Sequence, residues 1–497
     1  MLRYLLVTLG LCLQIVLCAQ TPSFKRPNIV YIYADDLGYG EIGAYGQTKI
    51  KTPHLDRMAS EGMKFTRHYA SAPVCAPSRC ALLTGRHTGQ TYIRGNYELG
   101  GFADSLEGGQ MPLPEGMVTL PSLLQKAGYR TGLFGKWGLG MPHNGGSPLQ
   151  HGFDVYYGYL DQKQAHNYYP THLWRNDQLV KLNNSPIQVH SKLEPTKVTP
   201  EEFEKFIGTD FAPDKIMQEA LTFIEQEKKG PFFLYLPLTL PHVSLQLPKK
   251  YMDPYKGLFP EEPYLGQRGY APQQFPLSAY AGMISYLDEQ VGRVLQQLKQ
   301  LGLDSTTIVL FSSDNGPSNA GGADLKYFNS KGSLRGQKME LYEGGIRVPL
   351  LARWPGMIKA GSVSGHVSAQ YDVFATMLEL TRSAEHSSNG ISFWSTIGGN
   401  SARQKHHDYL YFEYPENGGQ VAILQGKWKA IKRGLQKNPA AQWQLFDLEN
   451  DPGEQDDLAG QHLEKLKQFD TILQKEHRCA QITDWEFIHP RHLNQLP

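Results

Sequence analysis

The sequence is poor in cysteine and carries almost no net charge. Its 497 residues include only 5 cysteines, and 49 basic side chains nearly balance 48 acidic ones, which leaves a net charge of +1. So few cysteines do not make a disulfide scaffold. A nearly neutral chain has no strong field to attract nucleic acid or an acidic membrane surface. We therefore expect no nucleic-acid partner, and an anionic substrate must be held by local cations.

The chain also lacks heptads, solenoid periods and low-complexity tracts, and it has one long apolar run. That run, residues 5–17, lies between Arg3 and Cys18, a layout typical of a secretory signal peptide and too short to span a bilayer comfortably. We expect residues 1–19 to be cleaved after Ala19, with export to the periplasm or the medium. Lipid attachment at Cys18 is the alternative, although the residue before it is bulkier than a lipobox favours. No transmembrane segment is expected in the rest of the chain.

Apolar and helix-forming segments alternate through most of the chain, and a length of 497 residues suggests two or three domains. Runs rich in β-branched and aromatic residues predict strands, and amphipathic segments between proline and glycine predict helices. Such alternation is typical of an α/β domain. We predict a large mixed, mainly parallel sheet sandwiched by helices in residues 24–386. The predicted strands are Ile29–Ala34, Met63–His68, Arg130–Phe134, Phe232–Leu236 and Thr307–Phe311.

The pattern changes after a Ser-, Gly- and Asn-rich stretch near residues 387–403. Short strands then follow one another in meander order, and residues 463–473 form a predicted helix. We predict a smaller α+β domain with an antiparallel sheet in residues 400–485. The predicted strands are Tyr409–Tyr414, Gln420–Leu424, Lys427–Lys432 and Gln444–Asp447.

Polar side chains follow the predicted parallel strands where each strand ends. Ligands of open α/β sheets bind outside the carboxyl ends of the strands. Singly, a pair of aspartates is better explained as a turn and a lysine or histidine as solvated surface, but their joint placement favours a site. Three carboxylates and one amide oxygen suit Ca²⁺ or Mg²⁺ rather than a thiolate or imidazole metal. The residues are Asp35, Asp36, Lys136, His242, Asp314 and Asn315.

The segment VCAPSRCALLTG, residues 74–85, places a cysteine near the start of a predicted helix. Pro77 suits a first helical turn and Gly85 a helix end. The free N–H groups of a helix N-terminus favour negative charge, and Arg79 adds a guanidinium. Cys75 would thus lie in an anion site, although most lone cysteines in apolar surroundings are inert buried thiols.

The pattern C-A-P-S-R followed by Cys80 and A-L-L-T-G-R resembles the signature of type I sulfatases, members of the alkaline phosphatase superfamily. The resemblance extends from about Arg26 to Asp451. It implies an alkaline-phosphatase-like fold and oxidation of Cys75 to formylglycine by a maturase. With Cys75 oxidised, only Cys80 and Cys479 could pair, and the sequence leaves open whether they meet.

The resemblance also implies a calcium ion held by Asp35, Asp36, Asp314, Asn315 and the modified Cys75. Related zinc phosphatases have a histidine at the step of Asn315, so an oxygen donor there argues against a zinc pair. In this family the metal binds a sulfate oxygen and a formylglycine hydroxyl, which polarises the S–O bonds.

The family's cationic residues match positions of this chain. By resemblance, Arg79 and Lys136 steady the formylglycine hydrate, and Lys338, five residues before Glu343 in a K-x-x-x-x-E-G-G pattern, binds sulfate. His242 would protonate the leaving alcohol. One hydroxyl of the hydrate attacks sulfur, and the other later expels sulfate.

The chain departs from the family at Gly138 of GKWGLG, where many sulfatases have a histidine thought to be the base for sulfate release. His143 and His166 are candidate substitutes, which leaves that base unassigned. His166 belongs to a stretch rich in Tyr, His and Gln, residues 151–176. We predict that this stretch is a loop outside the core that contacts carbohydrate, or else a packed lid over the sheet.

Together these features predict an exported, calcium-dependent formylglycine sulfatase that acts on a small sulfated molecule, with a sulfated sugar as the favoured substrate. A phosphomonoester or phosphonate hydrolase on the same fold is the first alternative. An inactive carbohydrate-binding homologue is the second, suggested by Gly138.

Overall fold

A computed structural model describes residues 26–488 of the chain. The predicted signal peptide and the alternative lipid attachment at Cys18 lie outside these residues, so both stay predictions. Within residues 26–488 no helix combines the length and the apolar character needed to cross a membrane.

The described residues contain seventeen strands and eleven α-helices, with short 3-10 turns between them. The strands are β1 (Asn28–Asp35), β2 (Met63–Tyr69), β3 (Glu98–Gly100), β4 (Glu107–Gln110), β5 (Arg130–Lys136), β6 (Val155–Tyr159), β7 (His172–Arg175), β8 (Gln178–Lys181), β9 (Phe232–Pro241), β10 (Thr307–Ser313), β11 (Arg347–Arg353), β12 (Ser362–Ser364), β13 (Ser368–Ala369), β14 (Leu410–Tyr414), β15 (Gln420–Gln425), β16 (Trp428–Arg433) and β17 (Gln444–Asp447). The helices are α1 (Pro53–Glu61), α2 (Cys75–Thr84), α3 (Leu120–Lys126), α4 (Pro200–Glu204), α5 (Ala212–Gln226), α6 (Lys249–Met252), α7 (Pro276–Gln300), α8 (Glu343–Ile346), α9 (Tyr371–Thr381), α10 (Trp394–Ile397) and α11 (Leu463–Glu476).

Eleven strands form one large sheet in the order β12-β2-β11-β10-β1-β9-β5-β6-β7-β8, and β13 pairs with β2. The five central strands, β10, β1, β9, β5 and β6, are parallel to one another. Antiparallel pairs flank them, β10 with β11 on one side and β6 with β7 on the other. The predicted mixed, mainly parallel sheet is therefore confirmed.

The central strand β1 is buried on both faces of the sheet. Because successive side chains of a strand point to opposite faces, Val30 and Ile32 pack into one core cluster with α5 and α7. Ile29 and Tyr31 pack into a second cluster, with α2, α3 and α9 on the other face. This two-sided burial explains why the segment is apolar throughout rather than alternating.

The C-terminal region has a separate four-stranded antiparallel sheet in the order β14-β15-β16-β17. One face packs with Leu341 and Ile346 in a cluster that reaches the large sheet at Tyr69. The other face packs against Phe469 and Ile472 of α11. The predicted antiparallel sheet is confirmed, and the exact division of the chain into domains stays a prediction.

The expectation that residues 151–176 form a loop outside the core is wrong. Part of the stretch forms β6 and β7, which extend the large sheet. Tyr156 and Tyr168 are fully buried. Their rings are apolar enough to fill the core, and the Tyr168 hydroxyl donates to the backbone carbonyls of Thr239 and His242, both at 2.6 Å.

The three cysteines of the described residues are all free thiols. Cys75 and Cys80 are buried, whereas Cys479 is exposed. The possible pairing of Cys80 with Cys479 is therefore absent between residues 26 and 488.

Candidate active site

The carboxyl ends of four central strands meet at one edge of the large sheet. Strands β10, β1, β9 and β5 are consecutive and parallel, so the residues that end or follow them converge. Asp35 ends β1, Lys136 ends β5, and His242 directly follows β9. Asp314 and Asn315 follow β10. The sequence-predicted residues are thus brought together by strand order.

Cys75 reaches this edge from the first turn of α2. The helix begins at Cys75, with the extended Val74 before it, and ends at Gly85, which has a left-handed φ of 68° and donates its N–H to Ala81. The predicted stop at Gly85 is confirmed, while the start lies two residues before Pro77. All residues of α2 are buried. The Sγ atom of Cys75 lies 3.4 Å from Oδ1 of Asp35.

Oxygen donors suited to a hard cation surround this cysteine. One side-chain ligand atom from each of Asp35, Asp36, Cys75 and Asp314 lies within 4.8 Å of the others. Asn315 is fully buried, and its Oδ1 has no hydrogen-bond partner within residues 26–488. Because a buried carbonyl oxygen without a partner is unfavourable, this orphaned atom fits a cation-binding role. The residues present therefore fit a Ca²⁺ or Mg²⁺ ion.

The loop at Asp36 adopts a conformation that aids this convergence. Asp36 has a φ of 63°, a left-handed value that few residues other than glycine adopt. Its backbone N–H donates to Oδ1 of Asp314 at 3.1 Å. The strained turn therefore ties the end of β1 to the residue that follows β10.

Three basic side chains pair with the carboxylates. The guanidinium of Arg79 lies 2.9 Å from Asp314 and 3.4 Å from Asp35. Nζ of Lys136 lies 2.6 Å from Asp35, and Nζ of Lys338 lies 2.9 Å from both carboxylate oxygens of Asp36. We call Asp35, Asp36, Arg79, Lys136, Asp314 and Lys338 the Cys75 cage.

The charges of the Cys75 cage shift its carboxyl groups in opposite directions. Burial alone would raise the pKa of Asp35, but Lys136, His242 and Arg79 hold that pKa well below its ordinary value. Burial and the nearby Asp35 carboxylate raise the pKa of Asp314, against the opposing effect of Arg79. Charge in the cage is therefore unevenly distributed, and a bound cation would favour the ionised form of each carboxyl group.

Neither the cysteine nor the histidine is charged at neutral pH. Burial and the carboxylate of Asp35 raise the pKa of the Cys75 thiol well above its ordinary value. Burial and Lys338 lower the pKa of His242 to about 4, although Asp36, 3.6 Å from its Nε2 atom, acts the other way. Cys75 is therefore a thiol and His242 a neutral imidazole in the ligand-free protein.

A cavity of about 340 Å³ opens above the cage and is lined by Cys75, Lys136, His242 and Lys338. His166 also lines it, and its ring stacks on that of His242 with centroids 5.0 Å apart and planes 9° apart. Apart from the candidate base His143, the structure thus brings the sequence-predicted site residues to this cavity or to the Cys75 cage and cation donors beneath it.

His143 and His166, the two candidate bases for sulfate release, differ in position. His143 is exposed and does not line the cavity. His166 does, and burial, together with His242 and Lys136, lowers its pKa well below the ordinary value. Of the two, only His166 is in place to contact a ligand.

Other cavity residues were missed by sequence reasoning. Asn96 and Glu98 come from the segment after α2, and Gln162 and His190 come from loops beyond β6. Tyr414 and Glu416 come from the end of β14, in the C-terminal sheet. No motif or spacing marks these residues, because only tertiary packing brings them to the cavity.

Comparisons with known proteins agree with this arrangement. The profile of the sulfatase family matches residues 27–383, and that of the N-sulphoglucosamine sulphohydrolase C-terminal region matches residues 336–479. Rat N-acetylgalactosamine-6-sulfatase is 34% identical over 72% of this chain, a match that covers 62% of the rat enzyme's length.

Two further relatives cover nearly the whole chain. N-acetylgalactosamine-6-O-sulfatase of Bacteroides thetaiotaomicron is 29% identical over 90% of this chain and 93% of its own length. The crystal structure of Ps i-CgsB in complex with k-i-k-neocarrahexaose superposes with a TM-score of 0.75, at 28% identity and with 94% of each chain covered. From its matched profile, its fold and its relatives, the chain belongs to the sulfatase family of the alkaline phosphatase superfamily.

Proposed function

We propose that this protein hydrolyses a sulfate ester on a saccharide, with a formylglycine formed from Cys75 and a bound calcium ion. One feature supports this function most directly: Cys75, Lys136 and Lys338 line one cavity, and the hard oxygen donors and Arg79 lie beside Cys75 beneath it. An anionic ester bound there meets positive charge that is already in place, which is the main requirement for stabilising charge on a leaving oxygen.

The calcium ion would be held by oxygens of Asp35, Asp36, Asp314 and Asn315, and by the modified Cys75. The orphaned Oδ1 of Asn315 supports a cation here, because the ion supplies the partner that this atom lacks among the described residues. When bound, calcium polarises the S–O bonds, and the formylglycine hydrate provides the attacking hydroxyl.

The high pKa of the Cys75 thiol also supports its modification. The thiolate, not the thiol, is the nucleophilic form of cysteine, and burial disfavours it here. An unmodified Cys75 would therefore be a poor nucleophile. In the structure Sγ stands where the hydroxyl groups of the modified residue would be, 3.4 Å from Asp35. The proposal accordingly requires a formylglycine-generating maturase in the same host.

The remaining roles follow from charge and position. Arg79 and Lys136 hold the modified residue, and Lys338, at the cavity surface, binds the sulfate group. His242 lines the cavity and is the proposed proton donor to the leaving alcohol. Its pKa is about 4 in the ligand-free protein, so this role needs the negative charge of a bound sulfate to raise it.

A saccharide suits the outer part of the cavity. Glu98 and Glu416 are carboxylates that can accept hydrogen bonds from sugar hydroxyls, and Phe102 and Tyr270 offer apolar ring surface. The rings of His190 and Phe102 are tilted by 37° and have centroids 3.9 Å apart. Two relatives are named for N-acetylgalactosamine 6-sulfate, and a third was crystallised with a neocarrahexaose.

Turnover of matched aryl sulfate and aryl phosphate, followed by a panel of sulfated saccharides, tests the proposal. Peptide mass spectrometry across Cys75 reports its modification in the same preparation. We expect sulfate turnover in proportion to the formylglycine content. Faster cleavage of the phosphate would overturn the sulfatase proposal in favour of a phosphoester hydrolase. The absence of turnover in fully modified protein would favour an inactive carbohydrate-binding homologue.

A further inference from the structure

Gly138 lies two residues beyond the end of β5, and its surroundings leave no space for a side chain. Its φ is 71°, in the left-handed region that favours glycine, and a Cβ atom there would lie 2.7 Å from Cγ of Gln162. The N–H of Gly138 donates to the carbonyl of Leu160 at 3.1 Å. The side chain of Gln162 therefore takes the space that a side chain at position 138 would need.

Hydrogen bonds fix the backbone around Gln162. Its N–H donates to Oε1 of Gln110 at 3.0 Å, and Nε2 of Gln110 donates to Oδ1 of Asp161 at 3.0 Å. The other carboxylate oxygen of Asp161 accepts from the N–H of Gly109 at 2.6 Å. Gln162 is thus presented by a rigid support rather than by a loosely held loop.

The carboxamide of Gln162 is buried without a partner. The residue is 1% exposed, and neither Nε2 nor Oε1 has a hydrogen-bond partner in the part of the chain described, residues 26–488. Folded proteins pair nearly all such groups, because an unpaired buried donor or acceptor is unfavourable. Gln162 lines the same cavity as Cys75, Lys136 and His242. An unpaired donor and an unpaired acceptor therefore lie beside the proposed sulfate site.

We propose that Gln162 is a further ligand-binding residue of this site. Its Nε2 donates to an oxygen of the sulfate group, and its Oε1 accepts from a hydroxyl of the modified Cys75. This assignment rests on the proposed function. A carboxamide does not ionise, so Gln162 binds and orients these groups but does not take up a proton. It adds a neutral donor to a site whose other sulfate-binding donors are cations.

Two substitutions separate binding from packing. Gln162→Met keeps a similar volume but removes both hydrogen-bonding groups, and Gln162→Glu keeps the shape but adds negative charge. Gln290 provides the matched control, since it is also fully buried but its carboxamide is paired with the Tyr286 carbonyl and with Arg293. Full-length proteins are compared by kcat and KM for a sulfate ester, by calorimetric binding of inorganic sulfate, and by Tm.

We expect Gln162→Met to lower kcat/KM and sulfate affinity roughly 10-fold or more, while Tm stays unchanged or rises by about 1–2 °C because an unpaired group is removed. Gln162→Glu should weaken sulfate binding further, because its carboxylate repels the anion. Gln290→Met should lower Tm and leave kcat/KM unchanged.

Two outcomes would overturn the assignment: unchanged sulfate affinity in both Gln162 variants, or a Tm loss in Gln162→Met as large as that of Gln290→Met. The wild-type protein separates this inference from the proposed function. If fully modified wild type neither turns over sulfate esters nor binds sulfate, the proposed function fails. If wild type is active and Gln162→Met equals it, only the Gln162 assignment fails.

Discussion

Two buried clusters of charge lie in different parts of this protein. The Cys75 cage lies beneath the cavity, and the second cluster, which we call the Glu413 network, consists of Arg94, Glu413, His477 and Glu486. In the network Glu413 lies 3.1 Å from Arg94 and 2.9 Å from His477, which in turn lies 3.1 Å from Glu486. All members of both clusters are buried except Lys338, whose side chain is 14% exposed.

The two clusters differ in whether their polar atoms are paired. The side chains of the Glu413 network are paired beyond their ion pairs as well. Arg94 donates to the carbonyls of Gly89 and Thr91, Glu413 accepts from the Tyr411 hydroxyl, and Glu486 accepts from the N–H of Ala480. In and beside the Cys75 cage, Nε of Arg79, Oδ1 of Asn315 and the carboxamide of Gln162 are unpaired among residues 26–488. Buried charge alone therefore does not identify a site. Unpaired polar atoms beside a cavity point to a ligand, because a bound ligand can supply the partner that they lack.

Replacing the two buried cysteines of α2 should give the largest difference. Cys75→Ala should lower turnover by at least roughly 10⁴-fold, as expected when a nucleophile is removed. Cys80 bonds to the Thr91 hydroxyl at 3.0 Å and does not line the cavity, so Cys80→Ala should keep kcat per folded molecule. Equal activity of Cys75→Ala and wild type would contradict the nucleophile assignment.

Asn315→Leu tests the cation site. Loss of the amide oxygen should weaken calcium affinity roughly 10- to 100-fold or more, since even residues that only support a metal ligand contribute that much. Calorimetric titration of chelator-treated protein with calcium measures this affinity, and the recovery of turnover on adding calcium is a second measurement. Asn28→Leu is the control. Asn28 lies at the opposite end of β1, where its side chain bonds to Thr307 and Phe232 at the starts of the two neighbouring strands. Identical calcium affinity in both variants would argue against Asn315 as a ligand.

Glu413→Ala should affect stability rather than chemistry. It removes the carboxylate that Arg94 and His477 share, and breaking a buried ion pair in this way costs about 3–5 kcal/mol of unfolding free energy. Denaturant titration measures this loss, and turnover is assayed well below the Tm. Wild-type kcat per folded molecule is expected. A specific loss of kcat in fully folded protein would mean that the Glu413 network also serves the active site.

The smallest effect concerns the pH dependence of stability. Burial alone would lower the pKa of His477, but hydrogen bonds to Glu413 and Glu486 raise it to about 9 in the folded protein. A raised folded-state pKa stabilises the protein below the unfolded value, near 6.5, and this stabilisation is lost as pH rises through 9. We expect a Tm loss of roughly 2–3 °C over that interval. Calorimetric scans of wild type and His477→Gln at several pH values measure this loss of Tm. The loss should be smaller in His477→Gln, and an equal loss in the two proteins would contradict the assignment to His477.

Much of the fold and the centre of the site could be predicted from sequence. The strands that lead to Asp35, Lys136 and Asp314 could be predicted because fully buried parallel strands are continuous apolar runs. Their carboxyl ends meet by a general rule of α/β sheets. The aromatic stretch at residues 151–176 was misjudged because tyrosine serves equally well in a loop and in a core, and composition does not tell the two apart.

The sequence by itself determined the sheet type, the family and the residues of the Cys75 cage, because short-range patterns and a dense motif encode them. Only the tertiary structure decided that Glu416 of the C-terminal region shares a cavity with Cys75. It also decided that Gln162 fills the space beside Gly138, and that Glu413 belongs to a structural network. These facts depend on contacts between residues far apart in the chain, and no local pattern of residues specifies which distant surfaces will pack together.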